Sequence, residues 1–442
     1  MRLMNSMIVL LWATLFPTTM ALNIFLTTED SWVSANVRTL YNKLIENNHQ
    51  VILVAPLTDQ SDIGSYVYIN QQTSVVSSAG EFDYYVKENQ SPMYGQDPVE
   101  KNIWYVDGST VGATIFGLDY IIPQFYSNES IDLVIAGPKE GQTIGPLDQH
   151  SSGVFSVAKF CSLRGIPSIS ISTTDDTHRF FQTEEKKLTK FFKFEKASKI
   201  YSKLIVELLK LLENYSINHT TEFGYHDFKT SRSKFIDQHN FKKFNELDQK
   251  HDISDDLNIK PKILPSGVGL NINFPQVGDA SRVDCINPNF VQTNSFGSYG
   301  LVPTVYLDED SNLFRLDSVY SVDNDLSIDN LNCDLLQQQL QQDPHDLLKE
   351  KTFNTMRLEE RKFFCNLPTE RSIMDSCSIS ITAFKATGGD AFFDMTDILN
   401  PKESENLQPS SDDDVIDNDE DHGIFEANDI KNNADGFLMD QT

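Results

Sequence analysis

The chain has 442 residues, with 64 Asp and Glu against 36 Lys and Arg and a formal net charge of -28. The length suits one large domain or two ordinary ones, and the composition excludes fibrous and membrane-spanning classes. The acid excess, much of it near the C-terminus, speaks against a nucleic-acid polymer as partner, because contact with a phosphate backbone needs Lys and Arg.

In chain order, the first feature is Arg2 followed by an apolar run, Met7–Phe16, and small residues ending Thr19-Met20-Ala21. This predicts a secretory signal over 1–21, cut after Ala21. The run is short for a bilayer span of about 20 residues, and a strand begins directly after it. Secretory entry places the protein outside the cell, in the cell wall or in a vacuole. It also predicts N-glycans at the acceptors Asn89, Asn128, Asn214 and Asn218, with Asn89 the weakest because Pro92 follows its acceptor triplet.

Asn23–Thr27 reads as a short buried strand. Adjacent carboxylates Glu29 and Asp30 follow it, and then Val33, Val37, Leu40, Tyr41, Leu44 and Ile45 recur at helical spacing. Ser34 is placed to cap that helix and Asn47-Asn48 to close it. Val51–Ala55 is a second apolar strand of the doubly covered, parallel kind. Ser61–Asp119 reads as a loop or hairpin excursion. A second unit follows: strand Ile131–Ala136, glycine-punctuated loop Gly137–Gly145, helix Ser151–Leu163 and strand Ile166–Ile171. Strand–helix–strand units in this order predict an α/β fold, a three-layer, doubly wound, mostly parallel sheet with a Rossmann-like core. Glu29 and Asp30 then lie at the carboxyl edge, where open sheets of this kind collect ligands.

Ala197–Glu213 has helical periodicity, 214–260 is a polar insertion of mixed charge, and strands resume at Gly267–Phe274 and Leu301–Leu307. Asp343–Lys362 reads as a helix and Ile379–Phe384 as a strand, so the globular domain runs over 22–385 with a C-terminal extension. The dense acids of 400–442 predict a disordered tail. Of the cysteines, Cys161 fits a buried free thiol. The close pair Cys365 and Cys377 is favoured as a bridge, which leaves Cys285 with Cys333; the sequence leaves this connectivity open.

Adjacent acids at a strand edge can hold a hard cation, and a cation can polarise a phosphate. Such a pair is also common at a helix start for electrostatic reasons alone. His150 beside Ser151 lacks the G-x-S-x-G elbow of a Ser–His hydrolase. The 137–145 loop lacks the Lys-Ser/Thr pair of a P-loop. His178 reads as a surface histidine and Trp32 as a packing or rim residue.

Separated segments, in order, resemble one family. They are Thr28-Glu29-Asp30-Ser31-Trp32, Ala35-Asn36-Val37-Arg38-Thr39-Leu40-Tyr41, Asn48-His49-Gln50-Val51, Ala55-Pro56 with Ser61-Asp62, Leu264–Pro275 and Cys365–Ile381. Together they resemble the SurE-like phosphatase/nucleotidase family, most closely its secreted fungal acid-phosphatase branch. The resemblance implies a hydrolase acting on small phosphorylated substrates with a divalent cation, Mg²⁺ or Mn²⁺. The metal ligands it implies are Glu29, Asp30 and Ser61. Glu29 and Asp30 would also serve catalysis, and Ser151, Ser152 and Lys139 would bind phosphate. Family members associate through C-terminal extensions, which leaves a homodimer open.

The departures cluster at the site. Glu29 is one methylene longer than the usual Asp, Thr28 and Lys139 stand where the family has asparagines, and Gly153 replaces a threonine. A protonated amine offers donors and no lone pair, so Lys139 cannot ligate a metal. The alternative expectation is therefore a catalytically impaired glycoprotein that keeps the fold and binds a ligand or partner, with Lys139 in place of the cation.

Overall fold

The computed structural model describes residues 21–126, 130–175, 177–184, 195–219, 261–280, 285, 287–295, 301–308, 313–320, 358–374 and 376–401. The signal segment, Asn128, Cys333, residues 220–260 of the polar insertion, residues 343–357 of the expected C-terminal helix and the acidic tail beyond 401 lie outside them.

Its centre is a nine-stranded mixed sheet. β1 (Asn23–Thr27), β2 (Gln50–Pro56), β4 (Ile103–Val106), β5 (Leu133–Lys139), β6 (Ser168–Thr173) and β7 (Val268–Phe274) run parallel to their neighbours in the order β4-β2-β1-β5-β6-β7. The short β3 (Tyr94–Gln96) adds antiparallel at one edge. At the other, β11 (Ser378–Lys385) pairs antiparallel with β7 and carries β8 (Asn289–Gln292) parallel beside it. The expected strand Leu301–Leu307 does form, as β9 (Leu301–Asp308), but among the described residues it pairs with β10 (Leu313–Tyr320) in a separate two-stranded sheet rather than with the main one.

Side-chain alternation along the strands divides the core. Ile24 and Leu26 of β1, and Leu133 and Ile135 of β5, face one apolar cluster, whereas Phe25, Val134 and Ala136 face another. The first cluster receives Val37, Leu40 and Leu44 of α1 (Ala35–Glu46) and Leu204, Leu208 and Leu212 of the long α5 (Ala197–Asn218). The second receives Val111 of α2 (Thr110–Phe116) and Val154, Val157 and Cys161 of α4 (Gly153–Leu163). Helices on both faces make the expected three layers. Each full burial of a Leu or Val stabilises by roughly 1.5–3 kcal/mol.

The structure corrects several boundaries. The 61–119 excursion contains β3, β4 and α2, because Ile103–Val106 is a short apolar run fully buried beside β2. α5 continues to Asn218, keeping Ser216 buried, so Asn214 and Asn218 are exposed positions on a helix rather than the start of the insertion. Ser34 precedes α1 but its hydroxyl makes no cap bond; Asn48 does close the helix in the left-handed region at φ 67°. The favoured Cys365–Cys377 bridge is not formed. Cys377 bonds Cys285, with Cα atoms 5.5 Å apart, because pairing of β8 with β11 brings the residues just before each strand together. Cys365 is itself disulfide-bonded, and Cys161 is a buried free thiol as expected.

Candidate functional site

The strand order sets the site. From β1 the chain steps through β2 and β4 on one side, then returns to place β5 on the other. The gap between the carboxyl ends of β1 and β5 is therefore the topological switch point. Thr27 registers with Ala136 across it. Glu29 and Asp30 follow β1 directly, and Lys139 is the last residue of β5. Residues 110 positions apart in sequence thus meet.

Lys139 Nζ donates to Glu29 Oε1 at 2.9 Å, and the side chains are 5 % and 0 % exposed. The other carboxylate oxygen, Oε2, accepts the amide of Val154 in the first turn of α4 at 2.9 Å. Asp30 is also buried, and its Oδ2 accepts the amide of Glu140 at 2.9 Å. Burial pushes the Glu29 carboxyl up, while Lys139 and the Val154 and Gly153 amides pull it back. Asp30 stands well above the ordinary Asp value, first through burial and then through the charges of Glu140 and Glu29. Burial alone would depress the Lys139 ammonium; Glu29 beside it outweighs that effect and holds it protonated.

The remaining expected residues sit around this pair without joining it. Ser61 is half-buried and its hydroxyl donates to Asp59. Ser151 donates to the carbonyl of Asp148, and Ser152 caps α4 by accepting the amide of Phe155. Trp32 is fully buried against Tyr84 and Tyr105, a packing role. His178 reaches the rim, where its Nε2 lies 3.2 Å from Glu81 Oε2. Glu81 also accepts the hydroxyl of Ser31.

Sequence reading missed the scaffold behind the site. Asn273 Oδ1 accepts the Thr143 amide at 2.8 Å and its Nδ2 donates to the Thr143 carbonyl at 3.0 Å. Asn271 donates to the same carbonyl and to Glu370, whose other oxygen accepts the Gly145 amide. The readable signal was polar residues at period two, Asn271 and Asn273, inside an otherwise apolar strand.

The residues do not fit a divalent cation. Both oxygens of Glu29 are engaged, Asp30 Oδ2 accepts the Glu140 amide, Ser61 turns to Asp59, and the group on Glu29 Oε1 is an ammonium without lone pairs. Among the described residues, no group of three or more His, Cys, Asp or Glu is arranged to hold a metal ion.

The family described as Survival protein SurE matches residues 24–291, which include every residue of this site. The chain belongs to the SurE family. SurE-family relatives include an acid phosphatase of Yarrowia lipolytica, 27% identical over 299 residues that cover 67% of this chain and 69% of that protein. A 5'-nucleotidase SurE of a Synechococcus species is 28% identical over 162 residues, or 36% of this chain and 54% of that one. The chain thus spans about half the length of that bacterial SurE. The crystal structure of the SurE protein from Aquifex aeolicus is similar over 82% of this chain and 93% of its own, at 14% identity and a TM-score of 0.42. Membership, with the acid phosphatase and 5'-nucleotidase relatives, supports a phosphatase or nucleotidase ancestry for this SurE chain. Among its described residues, no helix is long and apolar enough to cross a membrane.

Proposed function

We propose that this chain is a secreted SurE-family glycoprotein of phosphatase and nucleotidase lineage that has given up divalent-metal hydrolysis and acts by binding a ligand or partner. One observation carries the reading: the ammonium of Lys139 lies 2.9 Å from Glu29 inside a buried site. A fixed internal cation neutralises the carboxylate that would otherwise attract Mg²⁺ or Mn²⁺. Secretion rests on the Arg2 to Ala21 segment, and glycosylation on exposed acceptors such as Asn214 and Asn218.

Titration calorimetry of the purified glycoprotein with Mn²⁺ tests the reading directly. The expected result is no tight binding by the wild type and a gain in Lys139→Asn. Tight binding by the wild type overturns it.

The acid phosphatase relative favours a second reading, an active phosphomonoesterase on small phosphorylated substrates. In that reading Lys139 meets phosphoryl oxygens as a point charge and Asp30, with its raised pKa, handles the proton of the attacking water. Assays on nucleoside monophosphates and an aryl phosphate, with and without Mn²⁺, separate the two. Turnover well above an Asp30→Ala control supports the second reading; equal turnover supports the first.

A further inference from the structure

The amino end of β1, at the sheet edge away from the candidate site, holds a second buried polar cluster. The Leu22 backbone nitrogen donates to His49 Nδ1 at 3.3 Å, and the Leu22 carbonyl accepts the amide of Gln50 at 2.9 Å. Because Nδ1 accepts, the ring proton sits on Nε2, which lies 3.9 Å from Glu213 Oε1 of α5. The His49 and Glu213 side chains are 3 % and 1 % exposed. One residue along, Asp132 Oδ2 accepts the amide of Asn23 at 2.8 Å. Burial, and after it the charge of Lys210, lowers His49 to about 4, so the imidazole stays neutral and Nδ1 keeps its lone pair. Leu22 is buried, whereas Ala21 is exposed.

The bond between those two residues is where the leader is expected to be cut. Hydrolysis by a secretory endopeptidase consumes one water. Ala21 departs with the oxygen as a carboxylate, and Leu22 keeps its nitrogen as an ammonium with three donors. The nitrogen freed by the cut is therefore the one already seated on His49. A charged donor there makes a hydrogen bond roughly twice as strong as a neutral one.

We infer that the α-ammonium of Leu22, created by removal of the leader, docks in a buried site formed by His49 and Glu213, with Asp132 as a neighbouring acid. The site takes a terminal ammonium at one position only, so a chain cut elsewhere leaves it without that charge. The inference rests on the secretory part of the proposed function and on nothing at the Lys139 site.

Sequencing of the secreted glycoprotein is expected to begin Leu22-Asn23-Ile24. Competitive acetylation across pH then reads the surroundings of that amine without any core substitution. Leu22 should label roughly tenfold or more slowly in the folded protein than in urea, and should titrate above the range of about 7.7–8.0 usual for an α-amine, because nearby carboxylates favour its charged form; burial without pairing would move it down. Glu213→Gln should lower that value. A chain prepared with Ala21 retained keeps every core residue, and its terminal amine should label equally fast folded and unfolded. A first residue other than Leu22 overturns the inference together with the secretory cut. Leu22 found first, but labelling as fast as in urea or titrating within or below the usual range, overturns the docking alone. So does an Ala21 amine as protected as that of Leu22, or a folded Glu213→Gln protein whose amine titrates as in wild type. The Mn²⁺ titration is independent of all these outcomes.

Discussion

Asn273 pairs its side-chain amide with both backbone polar groups of Thr143, at 2.8 Å and 3.0 Å, in a fully buried setting. The loop that leaves β5 after Lys139 is thereby stitched to β7 as if by a further strand. Truncation in Asn273→Ala orphans a buried N–H and weakens a buried carbonyl, and each such loss costs roughly 1–3 kcal/mol. Urea denaturation should show that loss, and hydrogen exchange at the Thr143 amide should accelerate. A variant with unchanged midpoint and protection would contradict the stitching role.

Removing only one member of the buried Lys139–Glu29 pair strands the other. Lys139→Met should lower stability by about 3–5 kcal/mol, whereas Glu29→Leu/Lys139→Met should recover much of it, because a buried ion pair is often no better than apolar packing. A double-mutant cycle on denaturation free energies measures the coupling. Additive single effects would show that the two charges do not depend on each other.

Peptide mapping under non-reducing conditions should find Cys285 joined to Cys377 and Cys161 unmodified. The bridge spans 92 residues, a separation for which chain-entropy models give about 4–5 kcal/mol. Cys285→Ser should therefore lower the denaturation midpoint substantially. A Cys365–Cys377 peptide in the map would refute the observed pairing.

Buried acids make stability depend on pH in a stated direction. Burial raises Glu370 from 4.5 to about 7, against the hydrogen bond from Gly145, and raises Asp390 to about 6. A raised folded-state value means that the stabilisation is fully present below 4.5 for Glu370 and is lost as pH climbs toward 7. His49, lowered to about 4 by burial, works oppositely and loses stabilisation as pH falls from 6.5. Between pH 5 and 8 the Glu370 contribution amounts to roughly 2–3 kcal/mol. Thermal unfolding of Glu370→Gln should be less sensitive to alkaline pH than wild type; parallel curves would remove Glu370 as the source.

The parts of this molecule legible in its sequence were those set by local periodicity. β1, α1, β2, β5, α4, β6 and β7 announced themselves through apolar spacing, and the acids at Glu29 and Asp30 through their place after a strand. The Lys139–Glu29 meeting was legible only as a substitution against a family pattern. What stayed hidden needed three dimensions. Ser61, Ser151 and Ser152 have the right chemistry, but hydrogen bonds to sequence neighbours Asp59, Asp148 and Phe155 engage their hydroxyls. Cys365 and Cys377 are close along the chain, but the pairing of β8 with β11 decided the bridge in favour of Cys285. Glu370 gave no local signal, since its importance lies in what it faces across the core.

The covalent link from Cys285 to Cys377 encloses everything between those positions in a loop. A protease that cuts once inside that span opens the polypeptide without freeing the fragment that bears β11. Such nicked material would still migrate as one species in a gel, fall into two pieces only on adding a thiol reagent, and until then keep its last sheet strand tethered to the body.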